Sequence, residues 1–166
     1  DVCSSDLAAE HRIATQLDAA VERFVERMHR REMTQSTSER LAWALRVLHY
    51  HETASEQALA ASRLEPWHAA GGTGLAQAQS LFARRADDLF ALCDPQQGEL
   101  RPGIVAVALD DMEKSYQALK AALLAAGADG QMPMAAMEQT LRRTSALRRA
   151  AQQLAKAIRG ADAAES

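Results

Sequence analysis

Cysteine, proline, glycine and aromatic residues are all scarce in this chain of 166 residues, which holds 2, 4 and 8 of the first three and 4% of the last. Two cysteines cannot build a disulfide framework, so stability must come from a packed core. So few turn formers and aromatics argue against a strand-rich fold. No apolar run approaches the roughly 20 residues that cross a bilayer. Nor is there an excess of positive charge: 19 basic residues face 22 acidic ones, for a net charge of -3. That balance makes nucleic acid a poor partner for the chain as a whole, and none is expected. Alanine and leucine dominate instead, a composition that favours helices.

The first seven residues, Asp1 to Leu7, match one reading frame of a common sequencing adaptor. They are expected to be a scar, with native chain from Ala8 and further protein missing upstream. Without Asp1 and Asp6 the charges stand at 19 basic against 20 acidic. Cys93 is then the only native cysteine, which favours a reducing compartment.

Apolar positions recur at helical spacing almost throughout. Ile13, Leu17, Val21, Phe24 and Met28 form a first stripe, in a helix expected to stop near Met33. Ser36-Thr37-Ser38-Glu39 reads as a capping box for a second helix. That helix carries Leu41, Leu45, Leu48, Ser55 and Leu59, with Glu52 inside the stripe, and should end near Ser62. A third stripe holds Leu75, Phe82, Ala86, Leu89 and Cys93, with Thr73 as its expected N-cap. Pro95 to Gly103 reads as a connector. Val105, Leu109, Met112, Tyr116, Leu119 and Leu123 mark a fourth helix, broken by Gly127-Ala128-Asp129-Gly130. Pro133 suits the first turn of a fifth. There Met137, Thr144, Leu147, Ala151, Leu154 and Ile158 share one side, and Arg142, Arg148, Arg149, Lys156 and Arg159 a neighbouring arc. The expectation is an all-α, antiparallel bundle of about five amphipathic helices over residues 8–160, with a frayed tail over 161–166.

Few constellations point to chemistry. His49, His51, Glu52 and Glu56 cluster on the second helix, but carboxylate-bridged metal bundles use the order Glu-x-x-His on facing helices. Here the order is reversed and no second helix matches it. Gly71-Gly72-Thr73-Gly74 lacks the strand and the Lys-Ser/Thr of a phosphate-binding loop. Cys93 has no basic neighbour to stabilise a thiolate. His11, His29 and His68 are scattered with no nucleophile beside them. No enzyme, metal or cofactor is expected. Glu52 is costly inside an apolar stripe unless it is paired, hydrogen-bonded or reached by water. The basic arc of the last helix reads as a solvated face, a contact for an acidic protein, or a contact for anionic headgroups.

Two stretches resemble a known family. Residues 17–59 are similar to the start of the PhoU-like cytoplasmic region of bacterial sodium/phosphate cotransporters. The likeness rests on a helix, a Ser/Thr-rich turn, and a second helix with Arg46, Tyr50, Glu52 and Glu56 in the family's pattern. Asp110 to Lys120 resembles the family's penultimate helix, and Leu147-Arg148-Arg149 with Gln153 to Ala157 its closing one. The acidic motif that such proteins link to metal clusters is absent: His49 and Thr53 stand at its positions, and Asp110 and Asp111 lack its spacing.

The resemblance implies a regulatory or assembly domain at the cytoplasmic face of a bacterial inner membrane. Its partners would be its own transmembrane part, missing upstream, together with anionic headgroups, a cytoplasmic protein or a second copy. The other reading is a free-standing soluble PhoU-type regulator or helical adaptor.

Overall fold

A computed structural model describes residues 2–28, 34–64 and 72–165, and among these described residues the chain forms an all-α bundle of five helices. They are α1 (Val2–Met28), α2 (Gln35–Ser62), α3 (Thr73–Leu92), α4 (Pro102–Ala128) and α5 (Met134–Glu165). Side chains are described within 7–27, 34–64 and 72–159. The expected end of the first helix near Met33 and the residues His29 and His68 lie outside the described residues.

The ends of the helices follow from local chemistry. Thr34, extended at φ -67° and ψ 154°, caps α2: its hydroxyl accepts from the Thr37 backbone N–H at 3.3 Å. The cap therefore sits two residues ahead of the Ser36 capping box, because Thr34 already satisfies that first-turn donor. Thr73 is likewise not the cap of α3. Gly72 holds that position without a side-chain bond, and Thr73 is the first helical residue. Pro102 opens α4, where its missing N–H has no helical partner to lose. Gly130, at φ 68°, turns the chain out of α4 in a conformation that an L side chain rarely adopts. The Met137 N–H then donates to the Pro133 carbonyl, so Pro133 precedes α5. That helix continues through Glu165, past the Ala161 where the pattern predicts fraying.

Three helices enclose one core. Leu75, Phe82, Ala86 and Leu89 of α3 meet Val105, Met112, Tyr116, Leu119 and Leu123 of α4. Met137, Ala151, Ala155 and Ile158 of α5 close the cluster. Phe82, Leu89, Met112, Leu119 and Leu123 are fully shielded, and the Phe82 ring lies tilted against Tyr116 at 6.1 Å. The stripes read for these helices are thus largely the core stripes, with Cys93, Leu109 and Leu147 packed at the edge; Leu154 is the exception, half-buried and outside the cluster.

A second layer lies across α5. Among the described residues, α2 packs along α5 and meets neither α3 nor α4, while α1 meets only α2. Successive helices are therefore not all neighbours in space: the order breaks between α2 and α3. Ala146, Ala150 and Ala157 of α5 are buried outside the main core cluster, as are Ala54 and Ala61 of α2. Such small side chains let two helix backbones approach closely. Arg143 ties the end of this seam by donating to the Leu64 carbonyl at 3.0 Å.

The first stripe has a different fate. Ile13, Leu17 and Phe24 are 59%, 53% and 47% exposed, so the face expected to enter the core faces solvent. The arc beside it touches α2 instead: His11, Ala14, Asp18, Val21 and Val25 are half-buried. His11 Nδ1 lies 2.9 Å from Ser55 Oγ, and that hydroxyl donates to the Glu52 carbonyl at 2.8 Å. Ser55 has spent its proton, so His11 must be the donor through an Nδ1–H.

Candidate functional site

The basic arc of α5 divides by helical phase. Arg142, Arg149 and Lys156 recur every seven residues, which keeps them on one side of the helix. All three are exposed, and so is Arg159. Arg142 pairs with Glu138 one turn back on the same helix. Among the described residues no acidic group lies within ion-pair distance of Arg149, Lys156 or Arg159. An open groove of about 560 Å³ runs between α2 and α5. Glu138, Arg142, Ser145 and Arg149 line it from α5, and Gln57 and Ala60 from α2, so one acid stands among its bases. Farther along the same pair of helices, the Lys156 ammonium stands 5.9 Å from the centre of the Tyr50 ring. This ring face attracts a cation through its quadrupole. The two helices together therefore present basic groups, hydrogen-bonding side chains and one aromatic ring.

Arg148 belongs elsewhere. It points to α4, where its Nη1 donates to Glu113 Oε1 at 2.8 Å and its guanidinium lies 4.6 Å from the Tyr116 ring centre. Gln117 and Gln152 also donate to the Glu113 carboxylate, at 2.9 and 3.4 Å. Tyr116 Oη is 2.9 Å from Ser145 Oγ, which links this knot to the groove. Arg148 is thus placed in an internal α4–α5 clamp rather than on the interaction surface named for it from the sequence. Glu113 is the hub of the clamp, and sequence reasoning missed it. The only local signal was a carboxylate three residues ahead of a core tyrosine.

The residues quoted for the family likeness do not gather on one face. Tyr50 is half-buried against α5, whereas Glu52, two residues on, is turned about 200° around α2. Glu52 is half-buried and, among the described residues, makes no ion pair; Glu56 is exposed, and Arg46 donates to its own helix at the Ala42 carbonyl. Among the described residues, Glu52 and Glu56 therefore make no ion pair with the basic arc. His49 is exposed with its ring 6.4 Å from that of Tyr50, while neighbouring protein lowers the pKa of His51 by desolvation. Among the described residues no three His, Cys, Asp or Glu side chains come together in a way that would hold a metal ion.

Cys93 closes α3 half-buried, and burial pushes its thiol up to about 11, so the reactive thiolate is scarce near neutral pH. Nothing in this set assembles a nucleophile with a base. What the arrangement offers is a charged surface: α5 carries six bases from Arg142 to Arg159 with no acid between them. The acids Asp87, Asp88, Asp110 and Asp111 sit on α3 and α4.

No described helix is long and apolar enough to cross a membrane. No model of a known family matches the chain, and no curated protein or solved structure matches it.

Proposed function

We propose that the chain is a PhoU-like regulatory or assembly domain of a sodium/phosphate cotransporter, held at the cytoplasmic face of a bacterial inner membrane. The family part of this reading is supported by the hairpin and the closing helices of the sequence. Its site is the α2–α5 face, which meets the anionic headgroups around its own transmembrane part. The observation that carries the site is the stripe of Arg142, Arg149 and Lys156: the first two line the groove with Gln57, and Lys156 stands over the Tyr50 ring farther along the same two helices. Each basic side chain near an anionic membrane surface contributes about 1 kcal/mol of attraction, and salt screens it.

Two measurements test the two parts. The chain should co-sediment with phosphatidylglycerol vesicles at low salt, and not with neutral phosphatidylcholine ones. Reversing Arg149 and Lys156 together to Glu should weaken that binding at least about tenfold, given the attraction lost per charge. Equal binding by the reversed variant would remove the site. The native gene upstream of the Ala8 codon should encode several apolar segments of spanning length. A start codon close upstream, with no such segment, would overturn the transporter and leave a free-standing helical regulator.

A further inference from the structure

The exposed face of α1 has an order that its neighbours on the helix do not. Glu10, Ile13, Leu17, Ala20, Phe24 and Arg27 are separated by three, four, three, four and three residues, the spacing of a coiled-coil seam. All six are exposed. The positions that touch α2 lie on the adjoining arc, so packing against α2 leaves this seam free.

The seam is also self-complementary. Its spacing reads the same in both directions about a point between Asp18 and Ala19. Run antiparallel against itself, Ile13 meets Phe24, Leu17 meets the small Ala20, and Glu10 meets Arg27. Antiparallel coiled coils form their core layers by this pairing of the two alternating seam positions. Four apolar layers result, closed at each end by an opposite-charge layer. A parallel arrangement would instead set Glu10 against Glu10 and Arg27 against Arg27, which like-charge repulsion disfavours.

From this we infer that α1 is the dimerisation helix of the chain: a second copy docks antiparallel along it, in a symmetric interface centred between Asp18 and Ala19. Leu17 packs over the partner's Ala20 at the centre, where the small residue allows the closest approach. The partner's Arg27 reaches Glu10 at each rim. The two α1–α2 hairpins then form one four-helix layer, which covers the apolar face that the single chain leaves in water. This inference is independent of the reading of the α2–α5 face, and its test uses no lipid.

Sedimentation equilibrium of the full chain should show a reversible monomer–dimer equilibrium. Leu17→Glu should abolish the dimer while leaving the helical circular dichroism and the monomer's melting temperature unchanged, because Leu17 contributes little to the monomer's core. Glu10→Arg alone, or Arg27→Glu alone, places like charges at both rims and should raise the dissociation constant about tenfold. The double swap restores opposite charges and should recover the dimer. A chain that stays monomeric at high concentration overturns the proposal and leaves the seam to another protein segment. A dimer indifferent to Leu17→Glu uses another face and also overturns it. A dimer broken by Leu17→Glu but blind to the charge swaps overturns the antiparallel register.

Discussion

Phe82→Ala should lower the unfolding free energy by about 3–5 kcal/mol, a large part of what a domain of this size has. The ring is fully buried among α3, α4 and α5 and lies against Tyr116. Its removal deletes apolar contact with all three helices of the core and leaves a cavity that they cannot easily close. The urea midpoint should fall with little change in slope, the sign of lost stability without a change in the surface exposed. Phe24→Ala supplies the contrast. Phe24 is 47% exposed on α1, so in the monomer its truncation should change stability by no more than about 0.5 kcal/mol. If the two substitutions cost the same, the assignment of the core to α3–α5 is wrong.

Arg148→Ala should cost about 1–3 kcal/mol, between the values typical of exposed and of buried ion pairs. The two side chains of its pair with Glu113 keep 26% and 32% of their surface in water, so neither extreme applies. Truncation strips the carboxylate of its cation, and the Tyr116 face of its guanidinium. Arg148→Lys should recover only part of the loss. An ammonium lacks the planar fork that donates to Glu113 while lying over the ring. A double-mutant cycle with Glu113→Gln should return a coupling of about 1 kcal/mol. Arg149→Ala, one residue away, should leave the melting temperature nearly unchanged and act only on binding. Additive behaviour of Glu113 and Arg148 would show that the clamp adds nothing to stability.

Both contrasts mark the limit of periodicity as a guide. It identifies Phe24 and Phe82 in the same way, as apolar positions on a helical stripe. It places Arg148 and Arg149 on one arc. What separates the members of each pair is the neighbouring helix, and no local pattern states which helix that will be.

The alanines of α5 show the same limit from the other side. Ala146, Ala150 and Ala157 belong neither to the Met137–Ile158 stripe nor to the basic arc, yet they are buried outside the main core cluster. Alanine is compatible with a core and with a surface, so its burial is decided only when a partner approaches. The caps were closer to legible. The Ser/Thr cluster announced a helix start near residue 36, but Thr34 made the bond because its extended backbone put the hydroxyl within reach of the Thr37 N–H.

Local pattern was enough to show that the chain is helical, where α2 to α5 lie to within a few residues, and which large side chains of α3 and α4 are core. These are consequences of local propensity and of a 3.6-residue period, and both are written in consecutive residues. The tertiary structure alone decided that α2 lies on α5 rather than on α3, that Arg148 turns inward to Glu113, and that the seam of α1 stays in water. Each of those outcomes depends on which faces meet across long separations in the chain, through the summed packing and charge of several helices at once.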